Sequence, residues 1–303
     1  MPKELTHWML AEKSLELLDS AGALHELIVA HRDLYLAGAV LPDTLLHLFY
    51  GPWSKQALTL ADHFHDTADN SFTPLIEAEA TFPAGMPAPL MACLLGIICH
   101  MQADIVLHPF VYAHSGVEDI ARHYRVETDI DAHVVQTCRV RSGRRLAEMV
   151  QPANRAHLIT ALSLVFDPCA TLPQAALEQS LGLHCSLQGM YDSTFWKLVA
   201  LGLALLPLRF FRKNSHLFYP LRHGERNGSR FKGQSSWRHP VTGEQVNKSL
   251  DELLEEAVRS TVAVLRRIER SGSLAKALSD PPGSNLLTGI HGVQLSAAVH
   301  AAP

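Results

Sequence analysis

Residues 89–110 read PLMACLLGIICHMQADIVLHPF. The run is almost continuously apolar and too long for a strand, so it reads as one helix buried at the centre of the fold, with Pro109 ending it. Three ionisable residues interrupt it at a fixed interval: His100, Asp104 and His108. Residues four apart lie on one helix face, about 6 Å apart along the axis, so the three form a single stripe. Burying such groups costs several kcal/mol unless they are paired or hold a cation. One histidine alone reads as a hydrogen-bonded core residue, but a stripe of three ionisable groups reads as a metal site.

The following segment, VEDIARHYRVETDIDAHVVQTCRV (117–140), reads as an amphipathic helix, with Glu118 and Asp119 in its first turn and Arg139 near its end complementing the macrodipole. It offers His123 and Glu127 at the same spacing of four, with Asp131 one turn further on. Two antiparallel helices with facing stripes make a multinuclear pocket. Imidazole nitrogens and carboxylate oxygens without a thiolate suit zinc at a hydrolytic site, although ligand type alone leaves manganese and iron open.

Toward the N-terminus, residues 6–19 (THWMLAEKSLELLD) have helical spacing with Thr6 placed as an N-cap. A second helical run, about 22–36, ends in AGAVLPD, where Gly38 and Pro42 break the period and set Asp43 in a loop or at a helix start. Helices are expected again at about 152–166, 172–182, 186–207 and 248–270. The Gly-, Ser- and Arg-rich stretch 209–245 reads as a long ordered connection, and the small-residue tail after Ser271 as poorly packed. The expected fold is an all-α multi-helix bundle. Residues 1–145 would form a zinc-site core, 146–270 a helical C-terminal part of the same or a closely packed domain, and 271–303 a tail.

Composition narrows the function. The chain has 303 residues, 47% of them hydrophobic, and a formal net charge of -4, which lacks the positive field expected for a nucleic-acid partner. Eleven of its 18 histidines fall at or before His133, which directs attention to the N-terminal half. The five cysteines include no C-x-x-C pair and read as buried thiols of a reducing compartment; with a start, MPKELTHWML, that has no apolar signal core, this reads as an unprocessed cytoplasmic chain. Residues 195–213 (FWKLVALGLALLPLRFFRK) are short for a membrane span and read as a core helix in preference to a docking surface. If the segment does dock on a membrane, the flanking Lys197, Arg209, Arg212 and Lys213 favour anionic lipid.

In chain order, THWMLAEK, AGAVLPD, DHFHD, CHMQADIVLHP and RHYRVETDID together resemble the zinc-dependent phospholipase C family over roughly residues 6–131. The resemblance implies one zinc held by Asp43, His63, His100 and Asp104, and a second by His108, His123 and Glu127. His7 would serve a third, bridged by Asp104. The family completes that third site with the amino group of a terminal Trp, whereas Trp8 is internal, so two or three ions per chain are implied. The DHF match favours His63 over His65, and Asp66 would orient a ligand. The implied activity is phosphodiester or phospholipid hydrolysis by a metal-bound hydroxide, with Asp43 able to accept a proton. Three rival readings stand beside it: an HD-type phosphohydrolase built on His65, Asp66, His31 and Asp104, a nuclease-like trinuclear site, and a noncatalytic metal-binding or interaction protein on the same scaffold.

Overall fold

The computed structural model describes residues 3–138, 144–221, 231, 233 and 235–296. Arg139, most of the Arg- and Gly-rich stretch 222–234 and the last seven residues of the tail lie outside that set. The helices are α1 Glu4–Glu16, α2 Ala23–Ala30, α3 Arg32–Gly38, α4 Ser54–His65, α5 Thr73–Ala80, α6 Ala88–Ser115 and α7 Ile120–Thr137. They continue as α8 Leu146–Met149, α9 Pro152–Phe166, α10 Gln174–Asp192, α11 Thr194–Ala204, α12 Arg209–Asn214, α13 Leu250–Ser271 and α14 Leu274–Leu278. Among the described residues the only strands are the antiparallel pair β1 Trp237–Arg238 and β2 Gln245–Val246. The fold is all-α.

Helix α6 is the axis of the molecule, packed by α1, α3, α7, α9 and α13. It is long and apolar enough to cross a membrane, yet 83% of its apolar window is buried inside the fold, as befits a core helix. It does not end at Pro109. The helix runs on to Ser115, because the ring only removes one amide donor and crowds the carbonyl of Ile105, and that carbonyl faces Gly289, a left-handed glycine (φ 69°) with no Cβ to collide with it. Gly38 and Gly96 do similar work between α3 and α6. A Cβ on Gly38 would strike the backbone of Cys93, and one on Gly96 the carbonyl of Tyr35, so the two helices touch backbone to backbone.

Other boundaries depart from the sequence pattern for identifiable reasons. Helix α10 continues through His184 and Cys185, where a break was expected, because Leu177, Leu181, His184, Gln188 and Tyr191 form one buried stripe; the break falls at the extended Ser193. Thr6 lies inside α1, not at its cap. The segment after Ser271 is packed: Leu274, Leu278, Asn285, Leu286 and Thr288 are buried, so this part of the tail belongs to the core. Helix α11 and the turns after it do the opposite of what the sequence suggests. Phe195, Leu198, Leu201, Leu205, Leu206, Leu208 and Phe210 are all exposed, Leu205 to 86%.

Candidate metal centre

Five elements carry the residues of the candidate centre, α4 supplying His65. The α1 stripe of Leu5, Trp8, Met9 and Leu15 turns into the core and carries His7 with it, while the indole of Trp8 donates to the carbonyl of Leu36 at 3.0 Å and locks α1 onto α3. The tight α3–α6 contact sets the 3-10 segment Leu41–His47, and therefore Asp43, over the middle of α6. His100, Asp104 and His108 project from α6, and His123 and Glu127 from the facing α7.

The side chains meet in two adjoining groups. In the first, the Nε2 of His100 lies 3.1 Å from Asp104, the Nε2 of His7 lies 3.6 Å from Asp104, and the Nε2 of His65 lies 3.6 Å from Asp43 and 3.9 Å from Asp104. The rings of His7 and His100 stack with centroids 4.1 Å apart. In the second, His108, His123 and Glu127 converge, with the Nε2 of His123 2.7 Å from Glu127, and Asp104 links the groups at 3.8 Å from the Nδ1 of His108. Asp43 and His123 are the most solvent-reached of the set, with side chains 13% and 12% exposed, so access from outside falls at these two.

Three of the histidines are aimed by the backbone. The Nδ1 atoms of His65, His100 and His108 sit 2.7, 3.0 and 2.8 Å from the carbonyls of Ala61, Ala39 and Leu286. A carbonyl can only accept, so each Nδ1 carries the proton and each Nε2 presents its lone pair. The last of these carbonyls comes from the tail, which is why the packing of Leu286 matters to the centre.

His63 is not part of it. On α4 the buried positions are Ala57, Ala61, Phe64 and His65, so His65 faces inward; His63, two residues earlier and about 200° away around the axis, is exposed. Of the residues read from the sequence, the structure brings together His7, Asp43, His100, Asp104, His108, His123 and Glu127, and places His65 where His63 was expected. The signal was present in the sequence: the spacing of Ala57, Ala61 and Phe64 marks the inward face. Asp66 orients no ligand. Its oxygens accept from Asn285 Nδ2, the amides of Leu295 and Ser296 and the Ser296 hydroxyl, and His31 lies at the junction of α2 and α3, so the HD-type arrangement is not formed. Asp131, one turn beyond Glu127, is likewise engaged elsewhere: it accepts from the amides of Leu5 and Thr6 and the hydroxyls of Thr6 and Tyr219.

The electrostatics suit a cation. Burial pushes the imidazoles of His65 and His108 down, to about 4 and about 3, and that of His7 well below its ordinary value, which keeps them neutral and able to ligate. Burial pushes Asp43 up to about 7, with the neighbouring Asp104 adding to the rise and His100 opposing it. Asp104 goes the other way: burial raises it, but His100 and His108 together outweigh burial and hold it ionised. Both nitrogens of His7, the Nε2 of His65 and of His100, Oδ1 of Asp43 and both oxygens of Asp104 are buried without a hydrogen-bond partner. Orphaned polar atoms at this density are costly, and divalent cations are the chemistry that relieves them. No thiolate competes, since burial raises Cys93 and Cys99 on the same helix to about 12.

An all-α fold that converges three buried imidazoles and two carboxylates, with a His–His–Glu group beside them, is the architecture of a candidate helical multinuclear metal site. The family model described as zinc dependent phospholipase C matches residues 6–162, more than half of the chain, and the chain belongs to that family. It is similar to phosphatidylinositol-glycan-specific phospholipase D of Bos taurus, 31% identical over 115 residues covering 34% of this chain and 13% of that protein. The Mus musculus protein of the same name is 32% identical with the same coverage. The chain thus matches only about an eighth of the length of these curated relatives. No solved structure matches it significantly.

Proposed function

We propose that the chain is a zinc-dependent phosphodiesterase acting on phospholipid-type substrates at a membrane surface. The observation that carries this reading is the cluster of buried, unpartnered nitrogen and carboxylate donors in a family defined by zinc. Asp43, His65, His100 and Asp104 would hold one ion, His108, His123 and Glu127 a second, and His7 with Asp104 a third. Zinc bound there supplies Lewis acidity toward nonbridging phosphate oxygens and lowers the pKa of water to about 7. The chain's own residues do the rest. Asp43, at the exposed edge and raised to about 7 before any cation binds, is placed to accept the proton of the attacking water. Asp104 supplies the negative charge shared between both groups.

Substrate class is supported from outside the cluster. A groove of about 510 Å³ lies between the start of α7 and α12, lined by Glu118, Asp119, Arg209, Phe210, Arg212 and Lys213. Its Phe210 edge is continuous with the exposed apolar side chains of α11 and the turns that follow. Basic side chains next to a large apolar patch fit an anionic lipid surface. The decisive experiment gives the zinc-loaded protein phosphatidylinositol, phosphatidylcholine and phosphatidylglycerol in mixed micelles and identifies the products. Diacylglycerol with a phosphorylated headgroup is the expected pair. Phosphatidic acid would instead assign the bond named for the curated relatives, and no product from any lipid or from a generic phosphodiester, at full zinc occupancy, would favour a noncatalytic scaffold.

A further inference from the structure

At the Leu41–His47 segment that carries Asp43, a second collection of metal-type donors uses none of the residues above. Glu4 of α1, His47 of that segment and His184 of α10 come from positions 43 and 137 residues apart, yet each offers a donor atom within 4.8 Å of the other two. Glu4 and His184 are buried. The Nε2 of His184 lies 3.7 Å from Oε1 of Glu4, and the rings of His47 and His184 stack with centroids 4.0 Å apart and an interplanar angle of 11°. The stack of His7 on His100 has the same 11° angle and nearly the same separation.

Two further features match the main centre. Each imidazole is aimed from behind: the Nδ1 of His47 sits 2.9 Å from the carbonyl of Asp43, and the Nδ1 of His184 sits 3.0 Å from the hydroxyl of Thr44. That leaves Nε2 of each directed at the group. The Nε2 of His184 and Oε2 of Glu4 are buried without a hydrogen-bond partner. Lys3, the nearest cation, is committed elsewhere, with its ammonium on the carbonyl of Leu217 and over the ring of Tyr191. Among the described residues no group hydrogen-bonds these two atoms, and Lys3 acts on Glu4 only through its charge.

We propose that Glu4, His47 and His184 bind one further divalent ion of the zinc class. Two imidazole nitrogens and one carboxylate oxygen select zinc, cobalt or nickel over calcium or magnesium, and three protein donors leave a fourth position for water through the half-buried His47. The ion ties α1, the Asp43-bearing segment and α10 together. Its role is to clamp, since the hydroxyl of Ser180 on α10 already donates to the carbonyl of Thr44 and His184 to or from its hydroxyl, so the α10 face and the segment holding Asp43 move as one body.

The test is metal stoichiometry, which does not depend on turnover. Stripped protein is reloaded with zinc, passed over a desalting column and analysed by mass spectrometry for zinc per chain, in wild type, Glu4→Gln, His184→Gln and the double variant His108→Ala/His123→Ala. Glu4→Gln and His184→Gln should each lose one equivalent and no more. The double variant should retain the equivalent that those two lose, and combining His184→Gln with it should subtract both losses. Cobalt in place of zinc should give a visible band that is absent from the Glu4→Gln spectrum. Unchanged zinc content in folded Glu4→Gln overturns the site, as does a loss of more than one equivalent, which would make the group a structural support of the main centre. Should His184→Gln fail to fold, the near-isosteric Glu4→Gln decides.

Discussion

Asp131 shows how much one side chain does away from the metal centre. It sits on α7 but serves α1, accepting the first-turn amides of Leu5 and Thr6 at 3.1 and 3.0 Å, as an N-cap residue supplied from another helix would. Asp131→Ala leaves the Leu5 amide and the hydroxyls of Thr6 and Tyr219 without that acceptor in the core, a loss of about 2–4 kcal/mol that a urea titration of the zinc-free protein would register. At the same scale, His65→Ala should lower zinc content and cut hydrolysis at least roughly a hundredfold, while His63→Ala leaves both at wild-type level. Equal effects of the two substitutions would mean that α4 is rotated. Asp104→Asn should likewise cut zinc content, since it removes the negative charge that His7, His65, His100 and His108 all approach.

Among the elements, the α3–α6 contact sets the distance between Asp43 and the stripe on α6. Gly96→Ala puts a methyl into the carbonyl of Tyr35, with backbone on the opposing side that has no rotamer to change. The expected outcome is a loss of about 1–3 kcal/mol with weaker zinc retention, because the helices must part and carry Asp43 and the carbonyl of Ala39 away from His100. The tail is held by Asp66. Burial raises that carboxyl, but hydrogen bonds from Asn285, Leu295 and Ser296 outweigh burial and bring it below the usual range. A depressed folded pKa contributes stability that is present above the unfolded value near 3.8 and lost as pH falls through the folded value. The protection of the Leu295 and Ser296 amides, exchange measured against the intrinsic rate at the same pH, should therefore fall on acidification below about pH 4. The same amides in Asp66→Asn should be weakly protected at every pH, and a pH-independent protection in the wild type would remove Asp66 as the latch.

Across the whole molecule, the unexpected feature is the outward face of α11 and the turns to Phe210. Among the described residues a core-like sequence is left uncovered, and Arg209, Arg212 and Lys213 flank it beside the groove at the start of α7. Leu201→Asp/Leu205→Asp should abolish sedimentation with phosphatidylserine-containing vesicles without changing hydrolysis of a short-chain, water-soluble phosphodiester, since neither residue touches the metal centre. Salt should weaken vesicle binding in the wild type by screening the basic side chains. Binding that survives both the substitution and high salt would place the lipid contact elsewhere.

What the sequence determined by itself is everything carried by local periodicity: the buried α6, the His100–Asp104–His108 and His123–Glu127 stripes, the start and end of α9, and through them the family and its zinc chemistry. A spacing of four places donors on one face whatever the rest of the chain does. It also contained the inward register of α4, which the alanines mark and the DHF match obscured. Tertiary structure alone decided the rest, because those outcomes are matters of what packs against what. Helix α6 survives Pro109 because a left-handed glycine from the tail covers the freed carbonyl, and Asp131 caps α1 because the two helices touch. The apolar face of α11 lies outside because no other element among the described residues covers it. Glu4, His47 and His184 meet only because three helical segments far apart in sequence pack around Thr44, and no spacing within the chain encodes that meeting.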